Sequence, residues 1–355
     1  MRILAAGDHF VAPQLFDDAL RDEVGAGSDG ESDEIVHLTS GWPEEPFGPV
    51  GDGDSVVEEA SGTEDDLIDA LDGVRVCVTQ MAPFTARVFQ ARPELEMLAV
   101  CRGGPVNVDL AAADRCGVAV AQAPGRNAAA AAEYAIGLML AALRRIPLAD
   151  SELRAGRWRG DFYAYDEAGV ELDGATVGLV GYGAIGRIVA RVLRAFGATV
   201  LVADPYTDRA TAYTDGVRLV ELDELVRTSS VISLHARLTE ETRGIVGAAE
   251  IAAMPEGTVL VNTARGGLLD DDALPDALRS GRLGGVALDV YDTEPPPPDW
   301  PLYSAPNVVA TPHLAGATRQ TARRAARIVA GEVGRFLRGE RLAHPSNDAG
   351  KRVNS

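Results

Sequence analysis

Short apolar runs alternate with helical stretches between residues 176 and 313. The runs read TVGLVG, TVLVAD, RLVE, VISLH, TVLVNT, GVALDV and NVVATP. Strands that are apolar almost throughout are typical of a parallel sheet with helices on both faces, because neither face meets water. The pattern therefore predicts a doubly wound α/β domain in this part of the chain.

The same alternation occurs on a smaller scale nearer the amino terminus, with predicted strands at residues 1–6, 74–79, 97–100 and 118–121. After the last run, apolar residues recur every three to four positions through 315–337, which predicts one amphipathic helix docked outside the larger domain. We expect a smaller α/β domain at 1–123, an inserted domain at 124–313, and a helix at 314–340 that returns to the first domain. Residues 341–355 lack periodicity and are predicted to form a disordered tail.

Composition supports two ordinary globular domains and argues against two classes of partner. The chain has 355 residues, 46% of them apolar, and a formal net charge of −20. So much negative charge repels phosphodiester backbones and anionic lipid, so we expect neither nucleic acid nor membrane as a partner. The amino-terminal residues resemble a first strand more than a signal peptide, which favours a cytoplasmic location. No spacing of possible metal ligands is present, so no metal is expected.

A glycine motif lies where a predicted strand meets a predicted amphipathic helix. Gly181, Gly183 and Gly186 have the spacing G-x-G-x-x-G within TVGLVGYGAIGRIVARVL. The first glycine allows a tight turn, the second allows close approach of a pyrophosphate, and the third allows close packing of helix and strand. The helix start, at Ala184 and Ile185, offers free N–H groups to phosphates. The motif therefore predicts a dinucleotide site.

An acidic residue follows the next strand at the position that would contact a ribose. Asp204 stands eighteen residues after Gly186, at the end of TVLVAD. A carboxylate there can accept hydrogen bonds from the ribose hydroxyls and would repel the extra phosphate of NADP. We therefore predict NAD as the cofactor.

Three further segments begin at predicted strand ends of the same sheet: NTARGGLLD, LDVYDTEPPPP and ATPHLAGAT. Strand ends are where ligands bind in open α/β sheets. Together with the glycine motif, these segments resemble the D-isomer-specific 2-hydroxyacid dehydrogenase family, in order and spacing, from about residue 74 to residue 338. The resemblance implies a Rossmann-type NAD-binding domain inserted into a smaller, flavodoxin-like substrate domain. It also implies an oxidoreductase that moves a hydride between the nicotinamide and C2 of a small D-2-hydroxy acid or 2-keto acid.

The resemblance implies a role for each of three catalytic residues. Arg265 corresponds to the arginine that binds the substrate, since a planar fork of donors can hold a carboxylate and polarise the neighbouring keto oxygen. His313 corresponds to the acid/base histidine, because an imidazole can exchange a proton with the hydroxyl near neutral pH. Glu294 corresponds to the carboxylate that orients the imidazole and stabilises its protonated form.

The resemblance extends, less specifically, to other residues. The loop CRGGPVNVD is similar to the family's substrate loop, although Val106 stands where Asp is usual. The N–H groups of Gly103 and Gly104 are expected to meet the substrate carboxylate, and Arg102 adds a cation that could bind a phosphate or polyhydroxy group or could simply face solvent. Positions expected near the nicotinamide are Ala236, Thr263, Ala264, Asp289 and Gly316.

The helix at 127–145 resembles the family's interdomain helix, so a homodimer is expected. Two alternatives stay open: an NAD(H)-sensing regulator similar to the corepressor branch of the family, and formate dehydrogenase, which usually has Gln at the position of Glu294. The sequence leaves the particular 2-hydroxy acid open among glyoxylate, hydroxypyruvate, phosphorylated and sugar-acid substrates.

Overall fold

Two separate parallel sheets account for the two series of apolar runs. The computed structural model describes residues 1–24, 33–41, 46–53, 55 and 57–353. The chain divides into one unit formed by Met1–Asn127 with Ala317–Ser355 and a second unit formed by Ala128–Gly316. The sequence pattern placed these boundaries after residues 123 and 313, within the same two loops.

The first unit opens with a five-stranded sheet in the order β2-β1-β5-β6-β7, all strands parallel. If the five strands of this sheet are renumbered 1 to 5 in chain order, their order across the sheet is 2-1-3-4-5. This is the order of flavodoxin-like folds, as predicted. A two-stranded antiparallel hairpin, β3-β4, lies outside the sheet. The elements are β1 (Arg2–Gly7), α1 (Pro13–Val24), β2 (Glu34–Thr39), β3 (Gly48–Val50), β4 (Val57–Ala60), α2 (Glu64–Ala70), β5 (Val76–Thr79), α3 (Ala86–Ala91), β6 (Met97–Val100), α4 (Leu110–Arg115) and β7 (Ala119–Gln122).

The second unit contains a seven-stranded parallel sheet in the order β10-β9-β8-β11-β12-β13-β14. If these strands are renumbered 1 to 7 in chain order, their order across the sheet is 3-2-1-4-5-6-7. The first six follow the Rossmann order, which confirms the predicted fold class. The elements are α5 (Ala128–Leu143), α6 (Ile146–Arg154), β8 (Thr176–Val180), α7 (Ala184–Ala195), β9 (Thr199–Ala203), α8 (Arg209–Asp215), β10 (Arg218–Leu219), α9 (Leu222–Thr228), β11 (Val231–Leu234), α10 (Ala248–Ala253), β12 (Thr258–Asn262), α11 (Leu274–Arg279), β13 (Leu283–Leu288) and β14 (Val308–Ala310).

The central strands of this sheet bury both of their faces, which explains why their sequences are apolar without interruption. Within β9, Val200 and Val202 point into a core shared with α5 and α7, while Leu201 points into the core under α9, α10 and α11. Successive side chains of a strand face opposite ways, so both cores draw on the central strands. No helix among the described residues is both long and apolar enough to cross a membrane.

The chain returns to the first unit through α12 (Arg319–Leu337). Its buried face carries Ala322, Ala326, Val329 and Val333, and it packs against α1 and one face of the five-stranded sheet. Thr318 caps its amino end by accepting a hydrogen bond from the backbone N–H of Thr321 at 3.0 Å. The periodicity that predicts a helix here therefore corresponds to a real buried stripe.

The residues after α12 are ordered, so the prediction of a disordered tail is wrong for residues 341–353. Residues 344–346 run along the free edge of β7, where the N–H of Gln122 donates to the carbonyl of His344 at 3.0 Å. The segment ends in α13 (Asp348–Arg352). Its contacts are mainly polar, so they leave no hydrophobic periodicity to detect. Residues 354 and 355 lie outside the described residues.

We predict that Asn347→Ala lowers the free energy of unfolding by about 2 kcal/mol, because it leaves the buried carbonyl of Val118 and the buried N–H of Val120 without partners. Asn347 is buried; its amide donates to the carbonyl of Val118 at 2.8 Å and accepts from the N–H of Val120 at 2.9 Å. Urea denaturation followed by circular dichroism measures the change. Lys351→Ala removes only an exposed ion pair with Asp348 and should cost under about 0.5 kcal/mol. Equal losses of unfolding free energy in the two variants would show that the buried hydrogen bonds of Asn347 do not stabilise the fold.

Candidate active site

The glycine loop follows β8 and turns sharply into α7. Gly181 has a φ of 95°, and a Cβ on it would lie 2.5 Å from the backbone nitrogen of Ala236. A Cβ on Gly186 would lie 2.7 Å from the carbonyl oxygen of Gly181. The first and third glycines are therefore required by the packing of the protein itself.

Gly183 differs from its two neighbours in the motif. It has an ordinary φ of −78°, and no protein atom lies within 4 Å of a Cβ placed on it. It precedes α7, whose first residues Ala184 and Ile185 have N–H groups without intrahelical acceptors. Open space beside unpaired donors at the start of a twelve-residue helix suits a pyrophosphate, so the residues present fit a dinucleotide.

Asp204 is fixed beside this loop. It follows β9, and its carboxylate accepts hydrogen bonds from the N–H of Tyr182 at 2.6 Å and of Tyr206 at 2.8 Å. Tyr182 is the residue between the first two glycines of the motif. The structure thus places the predicted ribose-binding carboxylate next to the predicted phosphate loop.

The residues predicted near the nicotinamide belong to the second unit and cluster after the carboxyl ends of neighbouring strands. Ala236 follows β11, Thr263 and Ala264 follow β12, Asp289 follows β13, and Gly316 lies beyond β14. The hydroxyl oxygen of Thr263 is buried and has no hydrogen-bond partner in the protein. An orphan hydroxyl at this edge suits a polar group of a bound cofactor.

His235 lies directly before Ala236 and packs into the protein. Its Nε2 atom lies 3.0 Å from the hydroxyl of Ser233. Desolvation lowers the pKa of His235 to about 4, so the ring is neutral at physiological pH. The hydrogen bond and the low pKa favour a structural role for His235.

Arg265 extends from a turn that a buried asparagine stabilises. Asn262, at the end of β12, donates to the carbonyl of Arg265 at 2.8 Å and accepts from the N–H of Ala264 at 3.1 Å. The guanidinium is exposed and donates a hydrogen bond to the carbonyl of Ala264. Among the described residues no carboxylate lies within 4 Å of it, so its donors remain available to a ligand. The sequence analysis did not single out Asn262, although a polar residue ending an apolar strand was a usable signal.

Glu294 and His313 are within hydrogen-bond distance of each other. Nδ1 of His313 lies 2.9 Å from a carboxylate oxygen of Glu294, whose other oxygen accepts from the N–H of Tyr291 at 3.1 Å. Partial burial raises the pKa of Glu294, but the hydrogen bond and charge of His313 and the charge of Arg265 oppose it, and the net effect is a lowered pKa. The carboxylate is therefore ionised at neutral pH and holds a proton on Nδ1, which leaves Nε2 for a substrate.

The loop that carries His313 is held by Asp289. His313 has a φ of 53°, which is unusual for a residue other than glycine. Asp289 is fully buried, and its carboxylate accepts from the N–H groups of Leu314 at 2.8 Å and Ala315 at 2.7 Å and from the hydroxyl of Thr311 at 2.7 Å. Asp289 thus positions the histidine loop, a role that sequence reasoning missed because the partners lie more than twenty residues away.

The remaining predicted residues belong to the first unit. Arg102 follows β6 and forms an ion pair with Glu59 of β4, with an Nη2 to Oε2 distance of 3.0 Å. Its Nη1 lies 3.1 Å from the sulfur of Met81. Gly103 is exposed, and a Cβ on Gly104 would meet no protein atom within 4 Å. The loop is open, but the charge of Arg102 already has a partner.

Comparison with known proteins identifies the family to which the chain is similar. The sequence model of the D-isomer specific 2-hydroxyacid dehydrogenase NAD binding domain matches residues 136–315. D-3-phosphoglycerate dehydrogenase of Archaeoglobus fulgidus is 39% identical over 264 residues, which are 74% of this chain and 49% of that protein. Glyoxylate reductase of Korarchaeum cryptofilum is 38% identical over 258 residues, 73% of this chain and 78% of that protein.

Solved structures show the same architecture over nearly the whole chain. That of D-2-hydroxyisocaproate dehydrogenase has a TM-score of 0.81 at 26% identity and covers 98% of this chain and 99% of its own. The apo-structure of D-lactate dehydrogenase from Escherichia coli has a TM-score of 0.74 at 26% identity, covering 97% and 99% of the two chains.

The chain belongs to the D-isomer specific 2-hydroxyacid dehydrogenase family, and its second unit is an NAD-binding domain, which confirms the predicted family and cofactor. It spans about half the length of the D-3-phosphoglycerate dehydrogenases that it matches.

The glycine geometry predicts opposite outcomes for two similar substitutions. Gly183→Ala should fold normally and weaken NADH binding at least about tenfold, because its methyl group enters the open space beside the start of α7. Gly186→Ala should instead lower the melting temperature, because its methyl group meets the carbonyl of Gly181. NADH fluorescence titration and thermal melts separate the two effects. Unchanged NADH affinity in Gly183→Ala would place the pyrophosphate elsewhere.

Proposed function

We propose that this chain is an NAD-dependent dehydrogenase that interconverts a small D-2-hydroxy acid and the matching 2-keto acid. The observation that carries the proposal is the 2.9 Å contact between His313 and Glu294, located with Arg265 at strand ends of an NAD-binding sheet. A proton donor, an oriented carboxylate and a free guanidinium are the groups that reduction of a 2-keto acid requires.

In the reductive direction Arg265 binds the carboxylate of the substrate and polarises its C2 carbonyl through paired N–H donors. The Gly181–Gly186 loop and Asp204 would hold NADH, which when bound would supply the hydride for C2. Nε2 of His313 donates a proton to the C2 oxygen, so a carbonyl becomes a hydroxyl. Glu294 stabilises the imidazolium before the transfer and keeps the ring oriented. In oxidation His313 takes the proton back.

We assign substrate binding beyond the reacting carbon to the first unit, including Gly103, Gly104 and Arg102. The open space at Gly104 supports a ligand near this loop. We also propose a cytoplasmic location, which dependence on NAD supports.

We propose that the functional form is a homodimer assembled through the second unit. Helix α6 has no buried residue, and it is followed by exposed aromatic side chains. Leu153 is 59% exposed, Trp158 82%, Tyr163 90% and Tyr165 94%. So many large apolar side chains in one stretch of about twenty residues are unusual for a surface that faces only water. A second copy of the chain is the occupant that the family resemblance supports.

The proposed chemistry predicts the effect of replacing either His313 or Glu294. His313→Ala should lower kcat for reduction of the best 2-keto acid by about 10²- to 10⁴-fold and leave NADH affinity nearly unchanged. Glu294→Gln keeps a hydrogen-bond acceptor but loses the charge, so its kcat should fall by a smaller factor. NADH oxidation is followed at neutral pH with glyoxylate, hydroxypyruvate, pyruvate and phosphohydroxypyruvate.

His37→Ala, an exposed histidine of the first unit, serves as the control and should be fully active. Full activity of His313→Ala would remove that residue from the mechanism. Tight NADH binding by the wild-type chain without turnover of any 2-keto acid would favour the regulator instead.

The dimer proposal predicts that Trp158→Glu gives a monomer. Burying a carboxylate in an apolar interface costs several kcal/mol, so association should weaken by at least about a hundredfold. Light scattering coupled to size-exclusion chromatography at micromolar concentration measures the mass. Tyr213→Glu, on α8 and 87% exposed, is the matched control and should remain dimeric. A monomeric wild-type chain would exclude the proposal.

A further inference from the structure

Tyr182 stands between the first two glycines of the glycine loop, and the proposed reaction leaves its side chain unused. Although it lies in a loop, it is only 3% exposed and packs into the core shared with α5 and α7. Its hydroxyl donates to a carboxylate oxygen of Asp215, the last residue of α8, at 3.1 Å. Burial and the charge of Asp215 raise the pKa of Tyr182 to about 12, so the hydroxyl keeps its proton and remains a donor.

The acceptor of this hydrogen bond is itself held in place by α7. The backbone carbonyl of Asp215 accepts from Nη1 of Arg194 at 2.8 Å, and Nη1 of Arg187 lies 3.9 Å from its carboxylate. The guanidinium of Arg187 also lies over the ring of Tyr182, 5.5 Å from its centre. Both arginines belong to α7. Tyr182 is therefore tethered to a partner that the neighbouring helix fixes.

The glycine loop depends on Tyr182 for its side-chain contacts. Gly181 and Gly183 have no side chains, and a Cβ placed on Gly183 would meet no protein atom within 4 Å. A glycine backbone also has more conformational freedom than that of any other residue. The buried ring and the tethered hydroxyl of Tyr182 therefore restrict the position of the loop where its neighbours in the sequence do not.

The backbone of Tyr182 connects this tether to Asp204. The N–H of Tyr182 donates to one carboxylate oxygen of Asp204 at 2.6 Å, and the N–H of Tyr206 donates to the other at 2.8 Å. Each oxygen can accept a further hydrogen bond, so the carboxylate can still bind ribose hydroxyls. A carboxylate held at both oxygens cannot turn away from a 2′-phosphate, which it repels. The placement of the Tyr182 N–H therefore bears on the choice between NAD and NADP.

We propose that Tyr182 is a positioning residue for the adenosine ribose of the cofactor. Its hydrogen bond to Asp215 fixes the backbone N–H that orients the carboxylate of Asp204, and so contributes both to the affinity for NADH and to the preference for NADH over NADPH. This inference rests on the proposed role of Asp204 and is independent of the identity of the 2-keto acid. The G-x-G-x-x-G pattern carries no signal for it, because Asp215 lies outside that segment.

Tyr182→Phe tests the inference because it keeps the ring and removes the hydroxyl. The dissociation constant for NADH should rise about 3- to 10-fold, as expected for the loss of one hydrogen bond. The dissociation constant for NADPH should change less than about twofold, since NADPH gains nothing from an oriented carboxylate. Titrations followed by nucleotide fluorescence measure both constants.

An Asp204→Ala background separates positioning from a general structural role. Without the carboxylate that it orients, Tyr182→Phe should change NADH affinity less than about twofold. Asp215→Ala removes the acceptor but keeps the backbone carbonyl that Arg194 binds, so it should match Tyr182→Phe. The two changes together should have no larger effect than either alone, because they remove the same hydrogen bond. Equal effects of Tyr182→Phe with and without Asp204 would overturn the inference.

The control is Tyr213→Phe, which removes a hydroxyl from the same helix, α8, on a side chain that is 87% exposed. It should leave both dissociation constants and the melting temperature unchanged. A lower melting temperature of Tyr182→Phe with unchanged NADH affinity would contradict the inference and leave Tyr182 a packing residue.

The titrations require no substrate, so their outcome is distinct from that of the proposed reaction. If no 2-keto acid is reduced, the dehydrogenase proposal fails while NADH binding still tests Tyr182. If Asp204→Ala binds NADH as tightly as the wild-type chain does, the assignment of the ribose to Asp204 is wrong and the inference fails with it. Unchanged NADH affinity in Tyr182→Phe, with weakened binding in Asp204→Ala, would exclude the role of Tyr182 alone.

Discussion

The shared direction of the strands in the seven-stranded sheet is the constraint on which the candidate site depends. Because all seven strands are parallel, the residues that follow them gather at one edge. Asp204, Arg265 and Asp289 come from different stretches of sequence and meet there for this reason. Glycine allows the loops at this edge to pack backbone against backbone. The clearest case is Gly266, where a Cβ would lie 1.9 Å from the backbone of Tyr291.

Three carboxylates at this edge have different environments and hence different roles. Asp289 is fully buried and uses both oxygens to hold the histidine loop. Glu294 is partly exposed and faces His313, so its charge can respond to the proton on the imidazole. Asp204 accepts two backbone hydrogen bonds beside the glycine loop. Burial and partners, more than residue type, distinguish a positioning carboxylate from one that acts on a proton or a ribose.

In the first unit, pairing decides which arginine is available to a ligand. Most arginines of the chain lie on the surface beside a carboxylate, as expected for so acidic a protein, and such pairs add little stability. Arg102 belongs to this group through Glu59. Arg126 forms no ion pair with any carboxylate in the described part of the chain, and its buried Nη1 atom has no hydrogen-bond partner there.

The sequence by itself determined the two α/β folds, the glycine loop, NAD and the residues proposed for catalysis, because these depend on periodicity and on short segments with fixed internal spacing. It also placed the strand ends well enough to group Arg265, Glu294 and His313. Only the tertiary structure decided that Asp289 holds the His313 loop, that residues 344–346 line the edge of β7, and that Arg102 is paired with Glu59. These features depend on contacts between residues far apart in the chain, and local pattern carries no information about such contacts.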